Sequence, residues 1–418
     1  MDVSSRFRLL HGETEAFREM PQPGRLRLNR KGFALAEGVG KKTAVYPHMR
    51  LAAHPSPHIG DLFSPLFGRV AEVNDRFLIL EAMEPDYDAR QEAAPDVTKT
   101  DLLASGAQGE ELFSMLKSLG VDTRPLRQQC ETLIINGLNP EPGITWAEPM
   151  LTTHGEELEA GIGALRRLVP ARETLLALPE GMEARPAGLE VVHVPELYPA
   201  SINALVVKAV TGRENPQDVG IVALHDLWAL ARVAHTGLPL VETVLTVWSP
   251  GKVGNYMVKD GSAIADLLEF CGIELESGDM LIRGGPMRGE SLDRAAHCVS
   301  KGTFGVFVLK GGESPPLEGN APCISCGACI RACPARLDPS VMSRNAEFAL
   351  HERNYAEHME CCLDCGMCGY VCVARRPVPQ YIRQSRRVLG LDAHASDPAK
   401  RLREITSAEA REPEKGNT

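Results

Sequence analysis

Cys323-Ile-Ser-Cys326-Gly-Ala-Cys329-Ile-Arg-Ala-Cys333-Pro334 and, about thirty residues later, Cys362-Leu-Asp-Cys365-Gly-Met-Cys368-Gly-Tyr-Val-Cys372 decide how the chain is read. Both runs are C-x2-C-x2-C-x3-C, the bacterial [4Fe–4S] spacing in which the fourth cysteine of a run serves the other cluster. On that logic Cys323, Cys326, Cys329 and Cys372 hold one cube, and Cys362, Cys365, Cys368 and Cys333 hold the second. A tight loop aims three thiolates at three irons of one cube. Gly327 and Gly366 let the backbone pass close to inorganic sulfide. The x3-C step then leaves the loop, expected as a helical turn that points the fourth thiolate the other way.

Zinc knuckles fit poorly, because zinc sites use paired hooks with four ligands in total. A disulfide framework belongs to small secreted chains. Val373 stands where the second run would usually carry proline, which weakens a turn but removes no ligand. Cys361 competes with Cys362 as a ligand, and Cys362 is preferred because it alone keeps the x2 spacing.

The 418 residues leave room for two to four domains. Hydrophobic content of 44% and charged content of 24% are those of ordinary globular proteins. A net charge of −10 argues against general nucleic-acid binding. No apolar run approaches the 18 or so residues of a membrane span, and the start, MDVSSRFRLLHGE, lacks the apolar centre of a secretory signal. Of the 12 cysteines, Cys130, Cys271, Cys298 and Cys361 fall outside the two quartets. Such usage points to a reducing, cytoplasmic compartment.

Taken in order, residues 1–25 read as an irregular leader. Short β-type runs broken by glycine and proline fill 26–84, the pattern of a small barrel or sandwich. Residues 84–98 form an acidic, proline-bearing linker. In 98–236, helices at Thr100–Gly120, His154–Val169, Ile202–Val210 and Asp226–His235 alternate with strands at Thr132–Gly137, Glu190–Val194 and Asp218–Leu224. That alternation predicts an α/β layer with parallel pairing. Residues 237–310 carry strands at Val241–Val247, Asp279–Pro286 and Thr303–Leu309 around a helix at Ser262–Cys271, a β-grasp-like pattern. The metal-binding segment occupies 318–388, and 398–418 is a polar tail expected to be disordered.

This order of parts resembles the C subunit of the Rnf ion-translocating electron-transport complex. The likeness runs from about 26 to 388 and rests on Ile134-Ile-Asn-Gly137 with Glu141-Pro142, Leu197-Tyr-Pro199, Val210-Thr-Gly-Arg-Glu-Asn-Pro216, Gly237-Leu-Pro-Leu240, Gly284-Gly-Pro-Met287 and Pro379-Gln-Tyr-Ile382. It implies a multidomain α+β and α/β protein: a barrel-sandwich hybrid, an α/β domain similar to the complex I flavoprotein, a β-grasp (SLBB-like) module and a C-terminal two-cluster ferredoxin domain. It also implies FMN and NADH in the α/β domain, with Asn136, Gly137 and Glu141 as the cofactor-binding candidates.

Three segments depart from the family pattern at that pocket. The glycine-rich loop expected before Thr132 is Phe113-Ser-Met-Leu-Lys-Ser-Leu-Gly-Val-Asp-Thr-Arg-Pro125, with a single glycine. Asn139-Pro140-Glu141-Pro142 replaces E-C-E-P, and Ala200-Ser-Ile-Asn-Ala204 replaces a Gly-Gly-Glu segment. The residues therefore favour an electron-transfer iron–sulfur subunit with two [4Fe–4S] clusters and no catalytic residue of its own. It would sit peripherally on the cytoplasmic side of the inner membrane. Its partners would be other Rnf-type subunits and a ferredoxin or multihaem cytochrome. The alternatives are an FMN-dependent NADH-oxidising subunit, a cobalamin-reductase relative with the same module order, and the iron–sulfur subunit of a soluble dehydrogenase. His48, His54, His58 and His154 read as surface or capping histidines, and Lys208 and Arg213 as a solvated helix face.

Overall fold

The computed structural model describes residues 16–84, 99–184, 186–293, 295–311 and 321–391. Most of the leader and of the 84–98 linker, and the whole 398–418 tail, lie outside them. The chain divides into two compact units, Met1–Ser314 and Pro315–Thr418.

The first unit begins with a correction to the leader. Arg18–Glu19 is a strand, β1, and Met20 after it is buried. Strands β2 (Arg25–Asn29), β3 (Ala34–Leu35), β4 (Ala44–Val45), β5 (Arg50–Ala53), β6 (Leu62–Phe63), β7 (Gly68–Val73) and β8 (Phe77–Ala82) follow. They form two sheets, β2-β8-β7-β4 and β3-β5-β6. Alternate apolar residues such as Leu26, Leu28, Leu78 and Leu80 enclose one core between them.

Helix α1 spans Gly109–Ser118, shorter than the Thr100–Gly120 expected from its apolar spacing. Gly106 and Gly109 take positive φ and break the helix behind Leu102 and Leu103. The α/β layer comprises β9 (Thr132–Asn136), α2 (Ala147–Thr153), α3 (Gly155–Leu168), β10 (Glu173–Pro179), β11 (Glu190–Val194), α4 (Asn203–Thr211), β12 (Val219–Ala223) and α5 (Leu224–Thr236). Its sheet runs β11-β10-β9-β12 with every pairing parallel. Leu133 and Ile135 of β9, Leu176 and Leu178 of β10 and the inner faces of α3 and α5 share one core.

The last sheet uses β13 (Glu242–Ser249), β14 (Lys252–Lys259), β15 (Met280–Arg283), β16 (Glu290–Leu292) and β17 (Gly305–Leu309), with α6 at Ile264–Phe270. Its order is β1-β14-β13-β17-β15-β16. Because side chains alternate across a strand, it acts as a shared wall. Val244, Met257, Ile282 and Phe307 enter the α/β core, while Leu245, Tyr256, Val258, Leu281, Val306 and Val308 cover α6. The three amino-terminal modules of the sequence are therefore one packed body.

The second unit has four helices among its described residues: α7 (Ala328–Arg331), α8 (Pro339–Glu347), α9 (Met367–Tyr370) and α10 (Val378–Val388). Its apolar core is small, chiefly Leu337, Met342, Met359, Val378, Ile382 and Leu391, with cysteines packed against it. A buried polar hub supplements it. Asn354 accepts from Asn345 Nδ2 at 2.9 Å and donates to the Met342 carbonyl and to Ser385 Oγ, tying α8 to α10.

No described helix is long and apolar enough to cross a membrane.

Candidate metal centre

The two cysteine runs fold alike, position for position. Gly327 (φ 69°) and Gly366 (φ 75°) are the residues before α7 and α9, each in a left-handed turn that leads the loop into a helix. Ser325 and Asp364 (φ 55° and 50°) and Arg336 and Arg375 (φ 59° and 51°) repeat the same left-handed bends 39 residues apart. The x3-C step is helical in both halves, since α7 carries Cys329 and ends two residues before Cys333, and α9 carries Cys368 and ends two residues before Cys372. Each run then enters a longer helix. Asp338 caps α8, its Oδ1 accepting from the Ser340 and Val341 amides at 2.9 and 3.1 Å, and Pro379 sits in the first turn of α10.

Two cavities open between these elements. One, of about 390 Å³ including its opening to solvent, is lined by Cys323, Cys326, Cys329 and Cys372. The other, of about 450 Å³ on the same measure, is lined by Cys333, Cys362, Cys365 and Cys368. Each cavity thus takes three cysteines from one run and the fourth from the other. Cys362 borders its cavity, while Cys361 is exposed and does not. Among the described residues no three His, Cys, Asp or Glu side chains converge closely enough to hold a single metal ion. Four thiols placed around a space rather than on a point suit a polynuclear core whose ligands sit on separate irons better than one tetrahedral ion.

Electrostatics differ between the quartets. Burial pushes the Cys365 thiol up to about 11, and Cys362 and Cys333 nearby add to it. Burial and the same crowding raise Cys368 further. Without metal these thiols stay protonated at neutral pH, so metal uptake displaces protons. Hydrogen bonds to sulfur are already in place: the Leu337 amide donates to Cys333 Sγ at 3.4 Å, and the Asp364 amide favours the Cys362 thiolate. The Cys362 quartet includes the buried Cys365, whereas the Cys323 quartet includes the exposed Cys326.

Sequence reasoning missed the charged residues around these cavities. Asp364 lines the Cys362 cavity and pairs with Arg383 at 2.8 Å. Arg386 donates to the Cys362 carbonyl at 3.2 Å. Arg376, only 2% exposed, lines the Cys323 cavity and pairs with Glu347 at 2.7 Å. Aligning the two runs by their 39-residue offset was the signal available, since it sets Arg376 opposite Leu337.

The flavin candidates are spent on packing. Asn136 donates to the Ser201 carbonyl and to Asn203 Oδ1 at 2.9 and 2.8 Å and accepts from the Leu138 amide. A side chain on Gly137 would stand 2.8 Å from Leu178 and 2.9 Å from the Ala177 carbonyl, so strand contact explains that glycine. Glu141, fully buried, accepts from the Met287 and Arg288 amides at 2.8 and 3.1 Å and pairs with the Arg288 side chain at 3.0 Å. A Cβ on Gly285 would collide with that carboxylate. The Gly284-Gly-Pro-Met287 turn is thereby clamped to the α/β layer.

Other sequence candidates also have local partners. His48 bonds the Pro239 carbonyl, His54 accepts from the Ser56 amide and His154 meets Glu157. His58 Nδ1 is buried without a partner. Lys208 pairs with Glu214 and Arg213 with Asp218, both on the surface.

No family model matches the chain. Among curated proteins it is similar to the C subunit of the ion-translocating oxidoreductase complex of Rhodobacter capsulatus, 28% identical over 385 residues, which cover 82% of this chain and 72% of that protein. It is 27% identical over 254 residues to the C subunit of the proton-translocating ferredoxin:NAD(+) oxidoreductase complex of Clostridium ljungdahlii, covering 56% of this chain and 55% of that one. The C subunit of the ion-translocating oxidoreductase complex of Buchnera aphidicola is 24% identical over 280 residues, covering 62% of this chain and 59% of that one. Among solved structures, NAD+-reducing [NiFe]-hydrogenase in the air-oxidized state aligns with a TM-score of 0.44 at 15% identity, over 72% of this chain and 67% of that one. Through sequence relationships that run over most of its length, the chain is similar to the C subunits of ion-translocating oxidoreductase complexes.

Proposed function

We propose that this chain is the peripheral electron-transfer iron–sulfur subunit of a membrane-associated Rnf-type redox complex. The observation that carries the reading is the sharing of cysteines between two cavities, three from one run and one from the other. Cys323, Cys326, Cys329 and Cys372 would hold one [4Fe–4S] cluster, and Cys333, Cys362, Cys365 and Cys368 the second. Such clusters, when bound, supply one-electron carriers.

The chain's own residues do the rest. The left-handed turns at Gly327 and Gly366 fold each loop around its thiols. The amides of Leu337 and Asp364 hydrogen-bond to cysteine sulfur, and the apolar side chains of Leu337, Pro339, Met342 and Ile382 shield the Cys362 cavity. In this reading residues 26–84 are a barrel-sandwich hybrid, 98–236 a flavoprotein-like α/β domain, 237–310 an SLBB-like β-grasp module and 318–388 a two-cluster ferredoxin domain. Partners are other subunits of the complex on the cytoplasmic face of the membrane and a ferredoxin or cytochrome beyond it. FMN and NADH are left out, because Asn136, Gly137 and Glu141 are committed to internal contacts.

Anaerobic purification with iron, sulfide and released-flavin assays tests this. About eight iron and eight sulfide per chain, with no flavin and no bleaching by NADH, is the expected outcome. Stoichiometric FMN with NADH bleaching would overturn the wire-like role in favour of a dehydrogenase.

A further inference from the structure

The two cysteine runs are near copies, so their differences stand out. At the position four residues past the fourth cysteine, the first run has Leu337, which lines the Cys362 cavity, and the second has Arg376, which lines the Cys323 cavity. Arg376 is 2% exposed. Its Nη1 donates to the Ala321 carbonyl and its Nη2 to Glu347, while the Tyr381 ring lies 5.4 Å from its Cζ. Its Nε is buried and has no hydrogen-bond partner. An unpaired buried donor on a guanidinium costs free energy unless something in the adjoining space accepts from it. Arg376 forms part of the wall of the Cys323-quartet cavity, and Cys323 is close enough to favour its charge.

Resting on the two-cluster reading above, we infer that Arg376 is a tuning residue. It donates from Nε to a sulfur of the group held by Cys323, Cys326, Cys329 and Cys372, and gives that site the higher reduction potential of the two. Reduction adds one electron and one negative charge to a site and breaks no bond to the protein. A buried cation bordering the site favours that added charge, as do hydrogen bonds to sulfur and access to solvent.

Charge and solvent access differ between the sites in the same direction, whereas the amide hydrogen bonds from Leu337 and Asp364 serve the Cys362 quartet and act the other way. Arg376 borders the Cys323 cavity, and its counter-ion Glu347 does not. Asp338, near Cys329, is occupied in capping α8. The nearest charge on the wall of the Cys362 cavity is a carboxylate, Asp364, which neutralises Arg383. Arg386, which favours the Cys362 thiolate, is only half-buried, donates to the Met359 and Cys362 carbonyls and does not line that cavity. Cys326 is exposed, whereas Cys365 is buried. An electron delivered to either site therefore settles at the Cys323 quartet.

The test is an anaerobic, dithionite-driven redox titration of the iron-loaded full chain, followed by electron paramagnetic resonance. Wild type is expected to show two separate one-electron waves. Arg376→Leu lowers the higher wave by about a tenfold change in its reduction equilibrium, about 59 mV for one electron, and leaves the lower wave in place. Arg376→Lys, which keeps the charge without Nε, falls between. If the leucine variant binds less iron, Arg376→Gln is read instead, with the same direction expected. Waves that stay where they were in an iron-replete variant would reduce Arg376 to a tether for Glu347 and Ala321. Movement of the lower wave alone would overturn the order of the two sites. A wild-type preparation with fewer than about eight irons would count against the two-cluster reading itself, whatever the variants do.

Discussion

Single side chains carry two separate claims, one in each unit. Cys361 and Cys362 are adjacent, yet only Cys362 borders a cavity. Cys361→Ser is expected to keep the full iron content on anaerobic purification, and Cys362→Ser to lose or degrade the group in its quartet. The reverse result would move the ligand by one residue. In the first unit Glu141 satisfies two amides and a half-buried guanidinium. Burial raises its pKa against the pull of Arg288. Glu141→Ala leaves those donors stranded and should cost about 2–3 kcal/mol in denaturant unfolding, with no effect on iron content. Both identities were readable from spacing and motif. The clamp was not, because Glu141 and Met287 meet only after some 150 residues of chain have folded back.

At the scale of elements, charge and capping decide local stability. Glu242 on β13 lies between Arg232 of α5 and Lys259 of β14, at 2.7 and 2.6 Å. Burial works against its ionisation, but the two cations outweigh that and hold its carboxyl below the ordinary range. The unfolded carboxylate takes up its proton near pH 4.3, while the folded one resists to lower pH. Stability from this cluster is therefore complete above about pH 4.3 and lost as pH falls through the folded value. Glu242→Gln should be less stable at pH 7, with the gap to wild type closing on acidification; a gap independent of pH would contradict the ion-pair role. Asp338→Ala, which uncaps α8, should cost about 1 kcal/mol in the melting of the second unit. Elements with clear alternation or helical spacing were legible in the sequence. Strand β10 was not, because Leu176–Pro179 is buried throughout and gives neither period. β1 was missed because two residues joining a sheet through Tyr256 and Met257 leave no pattern of their own.

Over the whole molecule, the two units rest on different physics. The first has extensive apolar cores and a sheet that serves two of them at once. That shared wall is why modules separable by composition fold into one body, and composition alone could not reveal it. Among its described residues the second unit has few buried apolar side chains, so on the proposed reading bound metal would supply much of its folding free energy. Stripping iron with chelator under oxidising conditions should abolish the cooperative melting of Pro315–Thr418 while the transition of the first unit survives. Retention of both transitions would show that the cysteine segment folds without its metals. The most direct test of shared ligation is anomalous diffraction at the iron edge from anaerobically grown crystals. Two groups of four irons are predicted, one bonded by Cys323, Cys326, Cys329 and Cys372 and the other by Cys333, Cys362, Cys365 and Cys368. Groups ligated each by its own run alone, or single zinc ions in their place, would contradict it.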